Sequence, residues 1–160
     1  MQHLKKHIIL RAERADAPAI LALQCLAYQS EAKIYGAANV PPLSQTLEQL
    51  CAEFDTMVIL KALAPGGRII GSVRAVEEEG SGICRIGRLI VHPECQRQGI
   101  GSALLYAVEA RFPLARRFSL FTGSRSEGNL RLYNRLGYQA VRSQMVGPDL
   151  ILIFLERARS

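Results

Sequence analysis

A glycine-bearing loop between an apolar run and a helical pattern is the feature that most constrains this chain. The apolar run Ile86–Val91 stops at His92–Pro93, and the stretch Gln96–Gly101 then leads into a helical pattern that opens at Ser102. Backbone N–H groups at a helix N-terminus have no partner within the helix, and the helix dipole adds partial positive charge there. Because glycines let a phosphate approach such a backbone closely, the stretch predicts a strand, a phosphate-binding loop and a helix in succession.

Strand-like and helical patterns alternate along the rest of the chain. We expect strands over residues 8–10, 56–63, 68–76, 83–91, 118–122, 138–146 and 150–155, and helices over residues 17–30, 45–54, 102–112 and 126–137. Asp16 and Ser44 would cap the first two helices, and Leu47 and Leu50 would face the core from the second. The order β-αα-βββ-α-β-α-ββ predicts a single α/β domain over residues 1–160, with a mixed sheet that is antiparallel in its first half. The segment 83–122 requires a parallel crossover, because a helix connects its two strands.

Length and composition predict a globular, cytoplasmic protein that holds no metal. The chain has 160 residues and 49% apolar content, and no apolar run reaches the roughly 18 residues of a membrane span. Its first residues lead into a strand-like run rather than into a signal-peptide pattern, so no membrane attachment is expected. The four cysteines show neither C-x-x-C pairing nor a histidine at zinc spacing, which favours small buried hydrophobic side chains.

The positive charge of the chain is concentrated in its second half. Residues 81–160 hold 12 arginines and 5 acidic residues, whereas residues 1–80 hold 8 basic and 9 acidic residues. Arginine suits bidentate contact with phosphate, and this second half carries the glycine loop. Since the sequence has no lysine- or arginine-rich run and no base-stacking aromatic pattern, we expect no nucleic-acid binding.

Three types of phosphate-binding loop compete for this stretch. A P-loop requires a lysine after its last glycine, and none follows Gly101. A dinucleotide-binding fingerprint requires a third glycine, but Leu104 occupies that position, and several residues separate the loop from Val91. A third type of phosphate-binding loop fits this stretch. The assignment to this type rests on a resemblance to the motifs of a known family.

Two motifs resemble those of one family. The pattern V-x-P-x-x-Q-x-x-G-x-G over residues 91–101 resembles motif A of the GNAT superfamily of acetyl-CoA-dependent N-acetyltransferases. The pattern N-x-x-x-Y-x-x-x-G-Y over residues 129–138 resembles motif B of the same superfamily. The element order is similar along nearly the whole chain, so the resemblance implies the GNAT acyl-CoA N-acyltransferase fold.

The resemblance implies acetyl-CoA as co-substrate and assigns its contacts. The end of the fourth strand would pair with the pantetheine arm, and the loop amides would surround the pyrophosphate. Tyr133, one helical turn after Asn129, would act as general acid towards the leaving thiolate, and the backbone N–H of Val91 would stabilise the oxyanion. The implied cofactor-binding residues are Leu89, Ile90, Val91, Gln96, Arg97, Gln98, Gly99, Ile100, Gly101, Ser102, Asn129 and Tyr133.

The acceptor side departs from the family pattern. Many members carry a glutamate on the fourth or a neighbouring strand that removes the amine proton, but the segment 83–90 has no carboxylate, so the base stays unassigned. The acidic run Glu77–Glu79 fits a solvated strand end, and His92 before proline fits a structural role. In this fold the acceptor wall usually comes from the first two helices, which here supply Tyr28, Glu31 and Tyr35.

Two arginines, Arg85 and Arg88, are unusual in a strand this close to the centre of a sheet. Spaced by three, they cannot share one face of a regular strand. We expect one of them to face the acceptor cleft and to bind a carboxylate on the acceptor, such as that of an amino acid or a peptide end.

The function that the resemblance implies is N-acetyl transfer by direct attack. A primary amine of a small molecule or peptide would attack the thioester within a ternary complex. The alternative is a non-catalytic acyl-CoA sensor or regulatory subunit, which would bind acyl-CoA but release no thiol. The resemblance also allows a homodimer, although the sequence identifies no interface.

Overall fold

The computed structural model describes residues 7–159, which form seven strands and five α-helices. The strands are β1 (Ile8–Arg11), β2 (Val58–Leu63), β3 (Ile69–Glu77), β4 (Ile83–Val91), β5 (Arg117–Gly123), β6 (Gln139–Gly147) and β7 (Leu150–Ala158). The helices are α1 (Ala17–Ala27), α2 (Gln29–Tyr35), α3 (Leu47–Glu53), α4 (Ile100–Ala110) and α5 (Glu127–Arg135). Within these described residues, no helix has the length and hydropathy needed to cross a bilayer.

The strands form one sheet in the order β1-β2-β3-β4-β5-β7-β6. The β4–β5 pair is parallel, and the other neighbours in the sheet are antiparallel. The predicted mixed α/β class, the antiparallel first half and the parallel crossover through α4 are therefore confirmed.

The first predicted helix is in fact two helices. Asp16 occupies the predicted N-cap position of α1, although its side chain makes no cap hydrogen bond. Tyr28, with φ −83° and ψ 2°, then separates α1 from α2. The prediction of one helix over residues 17–30 is wrong because no glycine or proline marks the break. Gly36, with φ 85°, ends α2.

The cap predicted for the next helix is also wrong. Thr46, not Ser44, is the N-cap of α3, since its hydroxyl accepts from the Gln49 N–H while the Gln49 side chain accepts from the Thr46 N–H. This reciprocal capping box starts the helix at residue 47, two residues later than predicted. Leu50 is fully buried as expected, but Leu47 is 42% exposed rather than facing the core.

Helices cover both faces of the sheet. Leu104 of α4 packs with Phe118 of β5 in the larger core cluster, and Ile20 of α1 packs with Leu50 of α3 in the smaller one. Cys84 is fully buried in the larger cluster, where burial raises the pKa of its thiol to about 12. The four cysteines are free, but only Cys84 is buried as predicted, whereas Cys25, Cys51 and Cys95 are partly exposed.

The register of β4 against β3 shifts at Arg88, whose φ of 51° lies in the left-handed region. Ser72 pairs with Ile90, but Arg74 pairs with Gly87, so β4 contains one residue more than β3 between these pairs. This β-bulge exchanges the faces of the two halves of β4, because side chains alternate along a strand. Cys84 before the bulge and Val91 after it consequently pack into the same core.

β4 and β5 pair over a short distance only. Ile83–Arg85 pairs with Arg117–Ser119, and no further pair joins the two strands within residues 7–159. The carboxyl-terminal half of β4 therefore has β3 on one side and an unpaired edge on the other. This edge and the start of α4 define the position of the candidate site.

Candidate active site

A cleft of about 560 Å³ opens where β4, the start of α4, the α1–α2 break and α5 meet. Ten of the twelve residues predicted to bind the cofactor line it, namely Leu89, Ile90, Val91, Gln96, Arg97, Gly99, Ile100, Gly101, Ser102 and Asn129. The remaining lining residues are Ala27, Tyr28, Ser30, Glu31, Cys95, Gly128, Arg131, Leu132 and Arg135.

The loop before α4 gives this cleft a floor of backbone amides. Gly99 is the N-cap of α4 with φ 80°, and Arg97 has φ 64°. The helix begins at Ile100, two residues before the predicted opening at Ser102. The amides of its first turn have no partner within the helix, and they carry the positive end of the helix dipole. This loop can therefore hold an anionic group.

The two glycines of the loop serve different purposes. Nothing lies within 4 Å of a Cβ built on Gly99, so Gly99 is required for its left-handed backbone and not for space. A Cβ on Gly101 would come within 3.2 Å of Leu132 Cδ2. Gly101 therefore also sets how closely α4 approaches α5, in addition to its predicted place beside a phosphate.

The unpaired edge of β4 presents backbone groups towards β5. The His92 N–H donates to the Ile70 carbonyl at 2.8 Å, and Val91 is the next residue in the ladder, opposite Gly71. In an antiparallel ladder, residues that exchange hydrogen bonds alternate with residues whose N–H and C=O point to the other side. The N–H of Val91 therefore points away from β3, into the gap where β4 and β5 diverge.

Three arginines give the cleft a positive charge. Arg97 belongs to the predicted loop, whereas Arg131 and Arg135 lie one turn apart on α5 and were not predicted. Their spacing of four on a helix was a usable signal, because it places both side chains on the face that also carries Leu132. Arg131 lies 4.0 Å from Glu127 in an exposed pair, so its charge stays available to an anion.

Asn129 lines the cleft, whereas Tyr133, one helical turn later on α5, does not. The Asn129 amide donates to Thr122 Oγ1 at 3.2 Å, which fixes this side chain against β5. Tyr133 is 6% exposed and is not among the lining residues. Burial raises the pKa of its hydroxyl, with Tyr28 and Glu31 acting in the same direction, so Tyr133 keeps its proton at neutral pH. Its role as general acid stays a prediction.

Five residues predicted to contact a substrate are absent from the lining of the cleft, namely Gln98, Tyr35, Tyr133, Arg85 and Arg88. Gln98 does not line it, and the Gln98 carbonyl instead accepts from His7 Nε2 at 3.2 Å. Tyr35 is buried beneath α2 and is likewise absent from the lining, whereas Tyr28 and Glu31 belong to it. The predicted structural role of His92 is confirmed, because its Nδ1 accepts from the Glu94 N–H.

The two strand arginines have different environments. Arg85 is exposed and forms an ion pair with Glu78. Arg88 is half-buried near Tyr28, where burial raises the pKa of the tyrosine hydroxyl and the guanidinium acts in the opposite direction. Since the β-bulge begins at Arg88, the alternation of a regular strand does not extend from Arg85 to Arg88, and which of the two faces the acceptor stays a prediction.

Among residues 7–159, no group of three or more histidine, cysteine, aspartate or glutamate side chains is placed to hold a metal ion. Among the described residues, the polar lining of the cleft consists of backbone amides, three arginines, Tyr28, a few uncharged polar side chains and one carboxylate, that of Glu31.

Comparison with known proteins gives three kinds of match. A model of the acetyltransferase (GNAT) family matches residues 19–138. The UPF0157 protein YqkA from Bacillus subtilis is 29% identical over 140 residues, which cover 88% of this chain and 39% of that protein. The chain therefore spans about two fifths of the length of this curated relative.

Solved structures share the fold. The PaiA N-acetyltransferase from Thermoplasma acidophilum in complex with coenzyme A has a TM-score of 0.80 at 16% identity, covering 96% of this chain and 99% of that one. A GNAT superfamily phosphinothricin acetyltransferase from Sinorhizobium meliloti in complex with AcCoA has a TM-score of 0.76 at 20% identity, covering 95% and 88%. These likenesses confirm the fold that the two motifs predicted.

Proposed function

Because the chain belongs to the acetyltransferase (GNAT) family, we propose that it moves the acetyl group of acetyl-CoA to a primary amine of a small molecule or peptide. The observation that carries the proposal is the joint placement of an amide-lined loop and an unpaired strand edge in one cleft. The solved relatives that hold coenzyme A or AcCoA support the choice of donor.

The residues present suit this donor. The first-turn amides of α4 would hold the pyrophosphate, with Arg97 close by and Arg131 and Arg135 across the cleft. The edge of β4 at Val91 would pair with the amide groups of the pantetheine arm, as an added strand does. Asn129, fixed by Thr122, would contact the same arm.

Acetyl-CoA would supply an activated acetyl carbonyl to the acceptor amine. The Val91 N–H, left free by the alternation of the ladder, is the donor that would stabilise negative charge on the carbonyl oxygen. Tyr133, which keeps its proton because of burial, would deliver that proton to the departing sulfur. Much of the rate acceleration would come from holding amine and thioester together.

The acceptor's carboxylate, in this proposal, is bound by Arg88 rather than by Arg85. Arg85 is exposed and already paired with Glu78, whereas Arg88 is half-buried beside Tyr28, a cleft residue. A guanidinium with restricted access to water binds a carboxylate more strongly than an exposed one.

Thiol release against a panel of amines tests the function. The panel holds free amino acids, short peptides, a polyamine and an aminoglycoside, and we expect release with the acceptors that carry a carboxylate. Replacing Tyr133 with phenylalanine should lower kcat about 10–100-fold and leave the affinity for coenzyme A unchanged, because only the proton is lost.

Tyr106→Phe is the matched control, since Tyr106 on α4 is 60% exposed and lies outside the cleft. Full activity of Tyr133→Phe between pH 6 and about 9 would contradict the acid assignment. Tight binding of acetyl-CoA without thiol release from any amine would instead support the non-catalytic sensor.

A further inference from the structure

A chain of hydrogen bonds ends at the carboxylate of Glu31. The Ser126 hydroxyl donates to Glu31 Oε2 at 2.7 Å, and Tyr35 Oη lies 2.8 Å from Ser126 Oγ. Because the Ser126 hydroxyl proton already takes part in the hydrogen bond to Glu31, the Tyr35 hydroxyl must be the donor in its hydrogen bond to Ser126 Oγ. Tyr35 in turn accepts from the Arg125 N–H at 3.0 Å. Every donor in this relay points towards Glu31, which polarises the bonds in one direction.

The relay is anchored in the core of the molecule. Tyr35 is 6% exposed and Ser126 is 4% exposed. A Cβ at Gly123 would lie 2.2 Å from Tyr35 Oη, so only glycine at this position lets the tyrosine reach the β5–α5 connection. The Arg125 guanidinium is occupied elsewhere, since it donates to the Ile34 carbonyl at 2.8 Å. The carboxylate of Glu31 is thus held in one position at the wall of the cleft.

Glu31 has no cation of its own. Within residues 7–159, no lysine, arginine or histidine nitrogen lies within 4.0 Å of its carboxylate, and its Oε1 makes no hydrogen bond. Its charge nevertheless reaches the hydroxyls of Tyr28 and Tyr133. A fixed carboxylate without a counter-charge, facing a cleft beside the expected proton donor, is suited to a cationic group of a ligand.

We propose that Glu31 receives the amine of the acceptor, with Ser126 and Tyr35 as positioning residues. This inference rests on the proposed function, and it supplies the base that the sequence leaves unassigned. The acceptor ammonium binds Glu31 and gives it one proton, which passes to solvent. The neutral nitrogen then adds to the acetyl carbon, and its second proton passes to the Glu31 carboxylate, which has released the first to solvent. The carbon–sulfur bond breaks as Tyr133 gives its proton to sulfur, and Tyr133 regains a proton from solvent.

The placement of opposite charges narrows the acceptor to an amino carboxylate. Arg88 and Glu31 carry opposite charges, and both act on the hydroxyl of Tyr28, which lines the cleft. An ammonium at Glu31 and a carboxylate at Arg88 would span the two ends of one small zwitterion. A polyamine would place its second cation near Arg88, which is unfavourable.

Glu31→Gln tests the proposal, with Glu48→Gln on the exposed surface of α3 as its control. We expect Glu31→Gln to lower kcat/KM for the acceptor about 100–1000-fold and to leave the dissociation constant of coenzyme A within about twofold. Ser126→Ala should lower kcat/KM about 3–10-fold. The double variant should be no slower than Glu31→Gln alone, because Ser126 acts through Glu31.

The pH dependence separates a proton acceptor from a structural carboxylate. The decrease in kcat/KM caused by Glu31→Gln should become smaller at high pH, because the acceptor amine is already neutral there and needs no base. Burial raises the pKa of the Tyr28 and Tyr133 hydroxyls, so neither of them accounts for such a change; the other charged groups nearby are the guanidinium groups of Arg88 and Arg125. A loss that is constant with pH would overturn the role of base.

Binding provides a readout without turnover. In the presence of coenzyme A, calorimetry should show that Glu31→Gln binds the best acceptor of the panel at least about tenfold more weakly than the wild type. Unchanged acceptor binding and full activity would overturn the inference while leaving acetyl transfer in place. Absence of thiol release by the wild type with every amine would overturn the proposed function as well.

Discussion

Replacing Glu53 on α3 should destabilise the fold, because Glu53 is paired with a buried arginine of β3. Arg74 is 1% exposed, and its Nη1 donates to Glu53 Oε2 at 2.8 Å and to Gln45 Oε1 at 3.1 Å. Its Nη2 donates to Gln24 Oε1, whereas its Nε has no partner within residues 7–159. Glu53 is therefore the group that balances this buried charge.

The magnitude follows from the burial of the two partners. Removing one partner of a fully buried ion pair costs about 3–5 kcal/mol, because the other charge is left uncompensated. The Glu53 side chain is 28% exposed, so water can enter beside Arg74 and reduce this cost. We expect Glu53→Ala to lower the free energy of unfolding by about 2–3 kcal/mol. Glu53→Gln, which keeps an acceptor oxygen, should cost about half as much.

Urea denaturation of the wild type, Glu53→Ala, Glu53→Gln and Glu48→Gln measures these differences. In thermal melts, 2–3 kcal/mol corresponds to a decrease in Tm of about 4–10 °C for a domain of this size. Glu48→Gln on the same helix should stay within about 0.5 kcal/mol, because Glu48 is exposed.

A double-mutant cycle between Glu53→Gln and Arg74→Met isolates the pair. We expect the two losses to be non-additive by at least about 1 kcal/mol, since the second change removes the charge that the first leaves unbalanced. Additivity within about 0.5 kcal/mol would refute the reasoning, because the two groups would then not be coupled.

Two further predictions concern the loop and the cysteines. Gly99→Ala should weaken coenzyme A binding and lower stability by about 1–2 kcal/mol, because its φ of 80° strains an L-residue although a methyl group has space. Gly147→Ala, also open, in an ordinary backbone conformation and outside the cleft, is the control for calorimetry. Iodoacetamide at pH 8 should label Cys95, which lines the cleft, far faster than buried Cys84, whose pKa is raised to about 12 by burial. Saturating coenzyme A should slow labelling of Cys95 and not of Cys51 on α3, as peptide mass spectrometry would show, and equal labelling with and without coenzyme A would place the ligand elsewhere.

The sequence predicted those elements whose ends are set by residues close by in the chain, such as glycine, proline and turn residues. β4 was predicted with its observed bounds, because an apolar run ends at a histidine–proline pair and turn residues precede it. The loop to α4 was predicted because glycines mark it. The break at Tyr28 was missed since its cause is not a glycine or a proline, and Thr46 was missed because Ser44 offered an equally good cap two residues earlier.

The acceptor side of the site shows where sequence reasoning stops. Glu31 and Tyr35 were predicted together as one wall, but Glu31 lines the cleft while Tyr35 supports it from behind. The link between them runs through Ser126, 91 residues beyond Tyr35, and no spacing rule connects residues that far apart. The β-bulge at Arg88 was equally invisible, because it depends on the register with β3.

The Tyr35–Gly123 contact has a mechanical consequence. It fastens α2, which carries Glu31, to the connection from which α5 starts, and α5 carries Asn129 and Tyr133. The Tyr35 side chain fills the space that a larger residue at position 123 would need, so it couples α2 to the start of α5. We therefore expect the elements that hold the two substrates to shift together. A displacement of α5 on donor binding would therefore also move the Glu31 carboxylate on α2, which is proposed to bind the acceptor amine.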